Sequence, residues 1–161
     1  MRALRSWISQ PRLIPAFPLT KPVPSEGGDV MPRTVTLAVD LPAPAARLYR
    51  MYLDPKAHAA FTGAPVEIAA RAGAPFAAFG GALSGTILQL VPNRLIVQSW
   101  RSTQFAKRDL DSTLVLSFWA QGKGARIELT HVNIADSDFA GVSEGWSKYY
   151  WIPWRAYLQR K

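Results

Sequence analysis

No cysteine occurs among the 161 residues, and histidine occurs only twice, at His58 and His131. The first absence removes disulfides, thiolate nucleophiles and thiolate-ligated zinc or iron–sulfur sites. The second leaves too few imidazoles for a metal cage, so neither a metal site nor a cofactor is expected. A bridge-free chain of this size suits the cytosol, and a cytoplasmic location is the expectation. Long apolar runs are missing as well, because Arg, Gln or Pro interrupts every stretch before the roughly 20 residues that a membrane span needs. So are the Gly-x-Ser-x-Gly elbow, the Walker loop, the dinucleotide fingerprint and the His-Glu-x-x-His pair, and no catalytic residue is assigned. Acidic residues are short: 19 Lys and Arg stand against 11 Asp and Glu, a net charge of +8. The excess is spread thinly, and its densest pair, Lys107 and Arg108, is followed at once by Asp109 and Asp111. With no basic run interleaved with aromatics, it reads as a solvated cationic surface and not as a nucleic-acid interface.

What is present is enough for one core. Hydrophobic residues make up 48% and aromatics 11% of the chain, which can offset the ordering entropy of a single domain. Six of the 13 prolines fall at Pro11, Pro15, Pro18, Pro22, Pro24 and Pro32, with no steady period between them. Residues 1–32 are therefore expected to form a disordered or extended tail, and 33–161 the domain. Arg2, Arg5 and Arg12, with no acid before Glu26, fit a targeting segment; Met31, where ordered periodicity begins, fits an upstream extension of the reading frame instead.

From Thr34 to Val39 apolar residues alternate, the signature of a half-buried strand. The period then changes: Pro44 to Leu53 reads as a helix, and Asp54-Pro55 caps and opens a second, shorter one that stops near Gly63. Val66 to Ala70 and Pro75 to Gly80 are weak strands. Ser84–Val91 with Leu95–Arg101 forms a hairpin around Pro92-Asn93, and Thr113–Trp119 with Arg126–Ile134 forms another around Gly122-Lys123-Gly124. Ser102 to Leu110, polar and basic, is an exposed loop. From Asp138 to Arg160, Trp146, Tyr149, Tyr150, Trp154 and Tyr157 recur at helical spacing. Asp136, Ser137 and Asp138 offer caps at the start of this helix, and Pro153 should kink or restart it.

Strand, two short helices, antiparallel meander and C-terminal helix is the order of the α+β helix-grip fold, the START-like architecture of birch-pollen allergens and polyketide cyclases. Gly80-Gly81-Ala82-Leu83-Ser84-Gly85-Thr86-Ile87-Leu88 followed by Leu90-Val91-Pro92-Asn93-Arg94-Leu95-Ile96-Val97-Gln98-Ser99-Trp100-Arg101 resembles the central hairpin of the activators of the ninety-kilodalton heat-shock-protein ATPase and their bacterial homologues. Gly145-Trp146-Ser147-Lys148-Tyr149-Tyr150 is similar to the start of that family's last helix, and Leu53-Asp54-Pro55 to its Asp-Pro between the first two helices. The resemblance covers about Arg33 to Gln159 and implies a curved antiparallel sheet wrapped around a long C-terminal helix. Eukaryotic activators carry a further N-terminal domain that grips the chaperone, which residues 1–32 are too short to supply. Stimulation of a chaperone ATPase is therefore not carried over.

In such a fold the space between sheet and helix can hold an apolar ligand. Taking Trp100 as inward places Ile96 and Gln98 on its face, with Leu114, Leu116, Phe118, Ile127, Leu129 and His131 opposite the helix. Gln98, Trp100, Leu116, Phe118, Leu129, His131, Trp146 and Tyr150 are the candidate ligand-facing residues, and a plain packed core is the competing reading of the same pattern. Gln98 and His131 need partners inside, such as the hydroxyl of Tyr150 or a backbone carbonyl. Alternatively, as in the cyclases, His131 beside a tyrosine acts as an acid or base. His58, between Ala57 and Ala59, should face water, and Asp138 and Glu144 should serve as capping charges. The expected protein is a non-catalytic START-like domain of the activator-homologue type that binds a small apolar molecule or a protein partner such as a chaperone. A cavity-using cyclase or hydrolase and a co-chaperone are the alternatives.

Overall fold

A computed structural model describes residues 33–160. The tail expected at 1–32 lies outside the described residues. The alternating run after it is β1 (Arg33–Leu41), which buries Val35, Val39 and Leu41 and turns Thr34, Thr36 and Asp40 outward. Two helices follow, α1 (Ala45–Leu53) and α2 (Pro55–Thr62). Asp54 separates them as its position suggests: its carboxylate accepts the Ala57 amide at 2.7 Å, and Pro55 occupies the first turn, where a missing N–H costs nothing. Gly63, at φ 73°, ends α2 in the left-handed region and returns its amide to the Ala59 carbonyl.

The rest of the sheet is β2 (Val66–Glu67), β3 (Pro75–Ala78), β4 (Leu83–Val91), β5 (Leu95–Ser102), β6 (Ser112–Gln121) and β7 (Gly124–Ile134). All neighbours are antiparallel, in the order β1-β7-β6-β5-β4-β3-β2, so the first strand lies beside the last. The expected strand at 66–70 shrinks to two residues. The loop after β5 is only partly the exposed loop expected of it: Phe105 turns in and packs 5.9 Å from the Trp100 ring, and Arg101 donates to the Ala106 and Asp109 carbonyls and pairs with Asp111.

After β7 a 3-10 turn (Asp136–Asp138) leads into α3 (Phe139–Gly145), a π-helical turn (Trp146–Trp151) and α4 (Ile152–Gln159) without a break. The caps expected of Asp136, Ser137 and Asp138 do not form, since no side chain there bonds the helix's free amides. At Pro153 the helix neither stops nor restarts but widens just upstream into the π turn: the Ile152 amide bonds the Ser147 carbonyl, one residue further back than in an α-helix, and Pro153 sits in the first turn of α4. The widened turn places Trp146, Tyr150, Trp151 and Trp154 together on the face that the sheet encloses.

This gripped helix, with α1 and α2, closes the concave side of the sheet over one core. Every inward residue assigned by alternation on β5, β6 and β7 is buried. Phe61 of α2 lies flat on Trp154 of α4, with centroids 4.1 Å apart and planes 4° from parallel, joining the short helices to the long one. Across the sheet edge, Asp40 accepts two bonds from the Arg126 guanidinium, which holds its carboxyl below the usual range, and its carbonyl accepts from Arg155 of α4.

Candidate functional site

At one end of the grip the sheet and helix part, leaving a half-open cavity of about 490 Å³. This is within the roughly 300–1,000 Å³ common for small-molecule sites. One wall is Trp100 and Ser102 of β5 with Thr103 and Gln104 after it; the second is Phe79, Ala82 and Leu83; the third is the helix, through Asp138, Gly141, Val142, Gly145, Trp146, Tyr149 and Tyr150. Two features of local sequence open this space. Gly141 and Gly145, one helical turn apart, present no side chain. On the strand side, Phe79, Gly80 and Gly81 take φ values of 54°, 66° and 90° in succession. Glycines make such a turn at no steric cost, but the left-handed Phe79 is a strained position, and it directs its ring to within 5.9 Å of Tyr149 and 5.7 Å of Tyr150.

Of the eight candidate residues, Trp100, Trp146 and Tyr150 line the cavity; Gln98, Leu116, Phe118, Leu129 and His131 sit behind it in the packed core. The centre of the sheet is filled, with Tyr49 of α1 edge-on to Phe118 at 5.7 Å, and the open space lies toward the ends of β3 and β5.

His131 is fully buried, and its partners fix its tautomer. The Trp146 indole N–H donates to Nδ1 at 3.3 Å, so the ring proton is on Nε2, which donates to Ser112 Oγ at 2.8 Å. The Ser112 hydroxyl in turn donates a hydrogen bond to the Trp100 carbonyl, also at 2.8 Å. Burial pushes the His131 pKa down to about 4, and the imidazole is neutral at pH 7. Both nitrogens are engaged, so the relay fixes Trp146 of the helix against Trp100 of the sheet, the two indoles that flank the cavity. Tyr150 is not its partner; nor is it that of Gln98, whose carbonyl accepts from the Tyr52 hydroxyl at 3.2 Å while its amide nitrogen finds no protein partner. Burial raises the Tyr52 and Tyr150 hydroxyl pKa values and keeps both neutral.

His58 corrects the expectation that it faces water. It is 2% exposed, stacked on Phe61 at 4.9 Å and beside Tyr52 at 4.7 Å, with Nδ1–H donating to the Tyr52 carbonyl at 2.7 Å. Its pKa too is lowered by burial to about 4, and its Nε2 has no partner. The three-residue spacing from Phe61 was the available signal, since it puts both rings on one face of α2. Phe79, Tyr149 and Asp138 are wall residues that alternation could not supply, because they sit on a turn, on the outer shoulder of a π turn and before a helix.

Among the described residues no helix is long and apolar enough to cross a membrane, and no three His, Cys, Asp or Glu side chains gather as metal ligands would.

Residues 42–153 match the family model described as Activator of Hsp90 ATPase homolog 1-like protein. The human Activator of 90 kDa heat shock protein ATPase homolog 1 is 26% identical over 149 residues, which cover 89% of this chain and 44% of that protein. The chain therefore spans less than half the length of that relative. Among solved structures, an HSP90 activator from Plasmodium falciparum superposes with a TM-score of 0.67 at 20% identity, over 73% of this chain and 89% of the other. CalU16 from Micromonospora echinospora gives 0.67 at 23% identity, over 80% and 77%. The fold is the helix-grip fold that the order of elements implied. With a family match over most of its length and its curved seven-stranded sheet closed on a long C-terminal helix, the chain belongs to the family of Activator of Hsp90 ATPase homolog 1-like proteins.

Proposed function

We propose that this chain is a non-catalytic START-like domain protein of the activator-homologue type that takes up a small apolar molecule, in the cytoplasm, through the cavity between β5 and the C-terminal helix. The observation that carries this reading is the half-open cavity of about 490 Å³ walled by Phe79, Trp100, Trp146, Tyr149 and Tyr150. Five large rings around unfilled space are unusual in a core that is elsewhere filled, and a ligand would remove them from water. His131, the buried imidazole that bonds the wall residue Trp146, is committed at both nitrogens, and His58, behind Tyr150, does not line the cavity, which supports binding over acid–base catalysis.

A ligand at a hundredfold excess over its dissociation constant should stabilise the domain by about 2.7 kcal/mol. A thermal-shift screen of sterols and aromatic polyketides reads this directly. Gly145→Leu is the matched control. A Cβ at Gly145 meets only the Tyr149 ring edge, at 3.5 Å, and the helix gains about 1 kcal/mol of propensity, so the variant should fold while its side chain fills the cavity and cancels the shift. A wild type that nothing in the screen stabilises would refute the reading.

A protein partner is the second reading. It is supported by the human relative's name and by Tyr149 and Ile152, which stand 48% and 64% exposed on the outer side of the gripped helix. Calorimetric titration with the Hsp90 of the same organism should show binding that Ile152→Asp weakens at least several-fold; no heat at micromolar concentrations would remove it.

A further inference from the structure

We infer that the cavity prefers a cation: a flat, largely apolar molecule carrying one ammonium-type group. This rests on the cavity being a ligand site, as proposed above. The wall holds no lysine, arginine or histidine, and Asp138 is its only Asp or Glu. The charged part of the wall is therefore acidic, in a chain whose net charge is +8.

The Asp138 carboxylate is available. It makes neither a capping bond to α3 nor a salt bridge among the described residues, whereas neighbouring Asp136 pairs with Arg33 at 3.6 Å. Its place is kept by Gly141, where a Cβ would collide with Asp138 Oδ1. The aromatic walls act in the same direction, because a ring face carries the negative end of its quadrupole and attracts an ammonium most strongly where water is excluded. The ring at the mouth already shows this chemistry: the Lys148 ammonium lies 5.0 Å from the Tyr149 centroid. Carboxylate and rings together would hold a cation at the Asp138 end and an apolar body against Trp100 and Trp146. An anionic ligand would meet the carboxylate inside a wall that has no basic side chain of its own, Lys148 lying on the Tyr149 ring outside it.

Three probes on one skeleton test this on the full chain by calorimetry: 2-naphthylmethylammonium, neutral 2-naphthalenemethanol and 2-naphthylacetate. The ammonium should bind about tenfold more tightly than the alcohol, and the acetate more weakly than either. Asp138→Asn should abolish the preference for the ammonium over the alcohol, and Gly141→Ala should reduce that preference by displacing the carboxylate without removing a charge. If alcohol and acetate bind as well as the ammonium, or if the preference survives Asp138→Asn, the cation inference falls and the cavity reading stands. If none of the three binds, both fall.

Discussion

Acidification from pH 7 to about pH 4 should cost the domain on the order of 6 kcal/mol of stability, most of it through two histidines. His58 and His131 are buried as neutral rings, and burial lowers both pKa values from 6.5 to about 4. In the unfolded chain each takes up its proton as pH falls below about 6.5, whereas in the folded chain each resists until about 4. Over that window the unfolded state binds more protons and stability falls with pH; above the window the full contribution is present. At about 1.4 kcal/mol per pKa unit, each imidazole accounts for ~3 kcal/mol, a large share of the 5–15 kcal/mol typical of a domain. Urea midpoints at about pH 7, 5.5 and 4.5 should fall steeply, and His58→Phe, which keeps the stack on Phe61 but cannot titrate, should roughly halve the slope. A flat profile in the parent would mean that the two rings are hydrated or already charged.

Trp154→Ala should be the most damaging single truncation, costing about 3–5 kcal/mol. Trp154 has no exposed surface; its ring covers Phe61 of α2 on one side and lies 6.4 Å from Trp151 on the other. Removing it leaves a void where α2, the π turn and α4 meet. Trp154→Phe should cost far less, because it keeps a ring on Phe61 and deletes an indole N–H that is buried without a partner. Ile152→Ala, two residues away but 64% exposed, should move the urea midpoint hardly at all. Equal effects for Trp154→Ala and Ile152→Ala would show that the gripped face has been misassigned.

The contrast between these residues also marks what was legible beforehand. Strand alternation fixed the inward faces of β5, β6 and β7 because a period of two leaves no choice once Trp100 is inward. Helical spacing likewise put Trp146, Tyr150 and Trp154 on one side. Neither period says how volume is shared along the grip, and so Leu116, Phe118 and Leu129, correctly inward, proved to be packed solid while the open space lay by Phe79 and Thr103. His58 was misread because its burial depends on the angle between α1 and α2, set by Asp54, and on a ring contributed by Tyr150 from ninety-odd positions away. Phe105 was lost in a polar loop for a similar reason: its partner, Trp100, belongs to the sheet it folds back on.

The placement of β1 beside β7 has a consequence for how the domain is made. Arg33 pairs with Ile134, about a hundred residues later in the chain. At the roughly 5–20 residues per second of synthesis, β1 waits several seconds, unpaired, for the strand that covers it. During that interval Val35, Leu37, Val39 and Leu41 form an apolar row, with Arg33 and Asp40 as the nearest charges to discourage its pairing with another chain. The domain cannot be born in halves: closing the β1–β7 seam is a long-range event that must follow nearly everything else, which marks this protein as a slow, all-or-nothing folder with an early strand in need of protection.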